Sequence, residues 1–110
     1  MSYKICITAA AQRDMANASD HIDFVLKNPK AAENLLDEAE MKISELALFP
    51  EKFALVEDSL LASWGIRCIQ VKNYLAFYII SEADTRIIVL RFLYGKSNWA
   101  SILNQGFSLR

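Results

Sequence analysis

The sequence predicts an α+β domain of order β-α-α-β-β-β(-α), an N-terminal helical hairpin packed on a small, mainly antiparallel sheet. Three observations predict it. Apolar residues recur at steps of three and four from Ala11 to Leu46. The texture changes at Ile66 to short runs rich in β-branched and aromatic residues. Short polar pairs and triplets separate those runs. Strands that follow a helical hairpin, rather than alternate with helices, place the helices on one face of an antiparallel sheet.

Each element has a local cause. Tyr3–Ile7 alternates Tyr3, Ile5 and Ile7 with Lys4 and Cys6, the period of a strand. Thr8 then offers a hydroxyl to cap a helix that opens on three alanines. Ala11, Met15, Ala18, Ile22 and Val25 form its buried stripe, with Arg13, Asp14, Asn17, Asp20 and Asp23 largely off it. Asn28 is a good N-cap and Pro29 fits the first position of a second helix, because the N–H it lacks would have no partner there. Ala32, Leu35, Leu36, Ala39, Ile43 and Leu46 carry this helix towards Phe49, and Pro50 stops it. The short connection makes the two helices antiparallel neighbours.

Residues 51–63 have no clear period and read as a loop with a helical turn at Ser59–Ser63. Ile66–Val71, Tyr74–Ile80 and Arg86–Tyr94 then form a three-stranded antiparallel meander. Lys72-Asn73 is its first turn, where Asn tolerates positive φ, and Glu82-Ala83-Asp84 is the second. Ser97–Leu103 adds a last helical turn packed through Trp99, Ile102 and Leu103. Simple alternation along the last strand puts Arg91 on one face with Ile87, Val89 and Leu93.

The bulk numbers bound the function. A chain of 110 residues with 54 % hydrophobic and 23 % charged residues is globular and fits one domain, residues 1–110. Met1–Thr8 lacks the features of a secretory segment. The most apolar run, Ile87–Tyr94, is broken by Arg91 and falls far short of the roughly 20 residues a membrane span needs. Cys6 and Cys68 sit in strand-like runs as small core residues, and with one His they supply no recognisable zinc site. No cofactor, no metal and no membrane partner are expected, and the expected location is the cytoplasm.

Net charge is −1, but it is unevenly spread. Residues 1–64 hold 6 Lys/Arg against 11 Asp/Glu, a balance of −5, and residues 65–110 hold 6 against 2, a balance of +4. A polyanion would therefore meet the second half.

Several ordered motifs carry a family resemblance. They are Thr8-x-x-Ala11-x-x-Asp14-Met15, Leu46-x-x-Phe49-Pro50 and Gly65-Ile66-Arg67, then Val71-Lys72-Asn73-Tyr74-Leu75-x-Phe77-Tyr78. The last is Leu90-Arg91-Phe92-Leu93-Tyr94-Gly95-Lys96-x-x-Trp99-x-x-Ile102-Leu103. Over Tyr3–Leu103 the chain resembles the RelE/ParE superfamily, toxins of bacterial type II toxin–antitoxin systems. The resemblance implies a RelE/ParE-like fold, a cognate antitoxin that wraps the toxin, and one of two targets. RelE-like members are endoribonucleases that cut ribosome-bound mRNA, driving a ribose 2′-OH onto the adjacent phosphate. ParE-like members poison DNA gyrase without a catalytic site. A degenerate member that only binds its partner and corepresses is a third reading.

Transesterification needs a proton acceptor, a proton donor and cations for the phosphorane charge. The resemblance assigns Arg91, near the end of the last strand, as a phosphate clamp through its planar fork. Tyr94 matches a position where some nucleolytic members carry an acid/base His. Arg67 completes the candidate catalytic set. Lys72 and Lys96 are candidate RNA-binding lysines. These residues favour the mRNA endonuclease over the gyrase poison. Two departures point the other way: Leu75 occupies a position where nucleolytic relatives often carry arginine, and the net charge of −1 leaves few cations for RNA. His21 reads as a surface or cap residue, and Trp64 and Trp99 as core or rim aromatics.

Overall fold

The structure is a computed structural model that describes residues 2–106. Strand β1 (Lys4–Ile7) leads into helix α1 (Ala9–Asp20), a π-helical turn (His21–Val25) and helix α2 (Pro29–Glu45). A loop and the short helix α3 (Ser59–Ser63) precede β2 (Arg67–Val71), β3 (Tyr74–Ser81), β4 (Arg86–Tyr94) and helix α4 (Trp99–Gly106). The sheet has four strands in the order β1-β4-β3-β2, with β1 parallel to β4 and the meander β2-β3-β4 antiparallel.

The expected starts are made as the local chemistry requires. Thr8 Oγ1 accepts the Ala11 N–H at 3.1 Å, and Asn28 Oδ1 accepts the Ala31 N–H at 3.1 Å. Asp58 does the same for Leu61 at 3.0 Å and starts α3. Helix α2 ends at Glu45 rather than running on to Phe49, and its last turn folds back so that Leu46 is buried while Phe49 is exposed.

Two buried clusters lie on opposite faces of the sheet. The first joins Ala11, Ala18, Leu35, Ala39 and Ile43 of the hairpin to Ile69, Val71, Ala76, Tyr78, Ile87, Val89 and Phe92. The second joins Leu61 and Leu103, from α3 and α4, to Phe77, Leu90 and Leu93. The hairpin thus occupies one face as expected, while α3 and α4 close the other.

Three sequence expectations are corrected by these contacts. The pairing of β3 with β4 slips between Phe77 and Tyr78, so that Phe77 faces Arg91 while Tyr78 faces Val89. Leu90 is the extra residue of this bulge, and one extra residue flips the face of everything after it. Phe92 therefore joins Ile87 and Val89, whereas Leu93 belongs to the other face with Leu90. Next, the widened turn after α1 rotates the helical stripe, so Val25 is 65 % exposed instead of buried. Finally, Lys72, not Asn73, takes the left-handed conformation in the β2–β3 turn, with φ +55°.

Candidate functional site

Strand β4 carries the candidate site, and its surroundings change half-way along. Up to Val89 it is flanked by β1. There β1 ends and α1 takes over the open edge. The Thr8 N–H donates to Val89 O at 3.1 Å, and the Thr8 hydroxyl donates to Leu90 O at 2.9 Å. Further along α1, the Asp14 carboxylate accepts the Phe92 N–H at 3.0 Å. A side-chain carboxylate thus satisfies the backbone donor that a neighbouring strand would otherwise have taken.

The same carboxylate grips Arg91. Arg91 Nε donates to Asp14 Oδ2 at 2.6 Å and Nη2 donates to Oδ1 at 2.9 Å, the two-pronged geometry that makes such pairs strong. The side chains of Arg91 and Asp14 are only 18 % and 11 % exposed. Hydrogen bonding to Asp14 holds the Arg91 guanidinium above its ordinary pKa, against a smaller opposing effect of burial. Arg91, for which the family resemblance implies a phosphate clamp, is therefore already bound to an internal anion.

The other candidates are dispersed. Arg67 Nη1 donates to Phe53 O at 2.6 Å and pins the loop before α3 to the sheet. Beside it Tyr78 is fully buried, its hydroxyl donating to Pro50 O at 3.0 Å, and burial pushes its pKa up to about 12. Lys72 Nζ lies 3.7 Å from Glu38, which Lys42 also approaches at 3.4 Å, so the β2–β3 turn is tied to α2. Lys96 is exposed in the turn after β4. Leu75 packs with the second cluster, beside Phe77 and Leu93.

Tyr94 is 44 % exposed and meets Tyr74 edge-on at 5.6 Å, while Tyr74 stacks on Phe92 at 5.2 Å. Tyr94 and Lys72 both line a cavity of about 760 Å³ between the hairpin tip and the sheet. His21, which the sequence pattern marks only as a surface or cap residue, lines the same cavity. No spacing signals this, because the cavity is assembled from the π turn, α2 and two strand ends. Arg91, Arg67 and Lys96 are not part of its lining.

A second groove runs between α1, α2 and β1. Ile5, Ile7 and Met15 line its half-buried part, and the exposed Asp37, Glu40 and Met41 stand around it. No helix among the described residues is long and apolar enough to cross a membrane.

The fold as a whole is similar to that of two chains from solved toxin–antitoxin systems. The fold is similar to a chain of the chromosomal ParDE TA system from P. aeruginosa, with TM-score 0.67, 18 % identity, and coverage of 84 % of this chain and 96 % of that one. It is also similar to a chain of the toxin–antitoxin complex RelBE2 from Mycobacterium tuberculosis, with TM-score 0.58, 18 % identity, and coverage of 86 % and 99 %. The sequence matches none of the curated proteins with which it was compared. Residues 5–99 match the family model of the ParE toxin of type II toxin–antitoxin systems, and the chain belongs to that family.

Proposed function

We propose that this toxin acts by binding DNA gyrase rather than by cutting mRNA, and that the arm of a cognate antitoxin neutralises it. The observation that carries this reading is the Arg91–Asp14 bridge. A nuclease needs a cation free to meet charge that develops on phosphate. Arg91 is instead neutralised by an internal carboxylate that also holds the Phe92 N–H. Recruiting it would strand Asp14, and leaving one half of a shielded ion pair unpaired is costly. Arg67 is committed to Phe53 O, and Leu75 brings an apolar side chain where a second cation would stand.

The groove between α1, α2 and β1 supports an antitoxin seat. Among the described residues β1 is an edge strand that pairs with β4 alone, so its outer edge lies open to an extended segment, save for Ile7 O, which accepts from Gln12 Nε2 at 3.2 Å. The apolar lining would take alternate side chains, and Asp37 and Glu40 favour an arm with basic flanks.

One observation favours the alternative of ribosome-dependent mRNA cleavage: Tyr94, Lys72 and His21 converge on one cavity. Two assays run side by side separate the readings. Accumulating cleaved DNA–gyrase complexes with intact mRNA support gyrase binding. Site-specific mRNA ends in translating extract, lost in Tyr94→Phe, would establish the nuclease instead.

A further inference from the structure

The tip of the helical hairpin carries a feature that neither the groove at β1 nor the Arg91–Asp14 bridge uses. Phe24, Val25 and Leu26 are 70 %, 65 % and 60 % exposed in one unbroken run. Scattered exposed apolar residues are ordinary, but a contiguous run of large ones marks a contact surface. The π turn creates it. The Leu26 N–H reaches back to His21 O at 3.1 Å, and the chain then reverses through Lys27 at φ +53°. Single π turns inside helices recur at functional positions.

Beside this run opens the cavity of about 760 Å³, walled by Ile22, Leu26, Leu35, Tyr74 and Tyr94. Charges flank the run in a fixed order. Asp20 and Asp23 precede it, and Lys27 and Lys30 follow it. Among the described residues none of these four makes an ion pair.

We infer that the hairpin tip is a self-association surface: two copies meet tip to tip about a two-fold axis, each seating Phe24 in the tyrosine-walled cavity of the other. Knob and hole are neighbours in the chain: Ile22 and Leu26, two residues to either side of Phe24, line the cavity, and Phe24 itself does not. A two-fold contact, in which one patch meets itself, can therefore fill both cavities at once. The charge order acid, apolar, base is its own complement under the same rotation, which brings Asp23 of each copy to Lys27 of the other. A foreign partner would have to supply both signs in register. The exposed edge of Tyr94 and the ring of Tyr74 offer an entering phenyl ring the edge-to-face geometry aromatic groups prefer. Three apolar side chains and one cavity make a contact at the small end of specific interfaces, so the association is reversible and depends on concentration.

Sedimentation velocity of the purified full chain, over a concentration series, tests this without reference to toxicity or to gyrase. The expected result is a monomer–dimer equilibrium that Phe24→Ser weakens by about tenfold or more, the scale of losing a buried aromatic anchor. Phe24 is exposed in the monomer, so this change leaves the core intact. Asp23→Lys and Lys27→Asp should each weaken the dimer several-fold, and the two together should restore it. A chain that stays monomeric at its highest soluble concentration would overturn the inference. So would a dimer indifferent to Phe24→Ser, or single charge changes that the double exchange does not repair. A monomer whose Phe24→Ser variant loses antitoxin binding would assign the tip to the antitoxin and likewise overturn it.

Discussion

Among the described residues, the Asp14 carboxylate ties together two elements distant in sequence. It holds Arg91 by two hydrogen bonds and Phe92 by a third, bridging α1 to β4 across 77 positions of sequence. Replacing it leaves a shielded guanidinium and a backbone N–H without acceptors. Asp14→Ala is expected to lower stability by about 2–4 kcal/mol, between a lost charged hydrogen bond and a broken buried pair. Chemical denaturation, with secondary structure followed by circular dichroism, measures it directly. Tyr78 gives a prediction in pH. Its pKa is raised, so the folded state favours the neutral phenol. That contribution is fully present below the ordinary tyrosine pKa near 10 and is lost as pH rises from there through about 12. Denaturant midpoints taken between those limits should fall steeply for the wild type and less for Tyr78→Phe. At neutral pH the same change should cost about 1 kcal/mol for the hydrogen bond to Pro50 O.

At the scale of elements, whatever rests on nearest neighbours was legible. Thr8 and Asn28 cap the helices they precede, Pro29 opens α2, and β4 has the bounds its apolar run implies. What was not legible depends on distant contacts. The bulge at Leu90 lies where β4 changes partners from β1 to α1, and no local signal in the strand announces that exchange. It moves Leu93 to the opposite face from Ile87. The π turn likewise exposes Val25, which a regular helical period buries. The candidate site divides in the same way. Tyr94 and Lys72 were marked and do share a cavity, whereas His21 joins them only through the fold. Arg91 stands out in the sequence as a candidate, but its partner Asp14 shows there only as a family-motif residue off the helical stripe. Turn chemistry supplies a prediction at this scale. Thr85 sits at φ +52° in the β3–β4 turn, a conformation a β-branched residue resists. Thr85→Gly should stabilise the chain by about 0.5–1 kcal/mol, visible as a higher melting temperature with activity unchanged.

The whole molecule is a sheet closed on both faces, with its anionic and cationic surfaces supplied by different parts of the chain. The acidic first half becomes the helical hairpin, and its Asp37 and Glu40 line the groove at β1. The surplus of cations in the second half is largely absorbed internally, Arg91 by Asp14, Arg67 by Phe53 O and Lys72 by Glu38. A chain organised in this way is better suited to grip a protein than to neutralise a polyphosphate. Antitoxin binding at the β1 groove should raise the melting temperature by linkage, about 2.7 kcal/mol of stabilisation at a free concentration one hundred times the Kd. Asp37→Lys with Glu40→Lys should weaken that binding, as titration calorimetry would register. The central claim is that toxicity comes from binding gyrase and not from cutting RNA. It is tested most directly by adding the purified wild-type chain to gyrase and supercoiled plasmid with ATP. Trapped, cleaved DNA–gyrase complexes are expected, and Tyr94→Phe should leave them unchanged. Unimpaired gyrase turnover in the presence of well-folded toxin would contradict the claim.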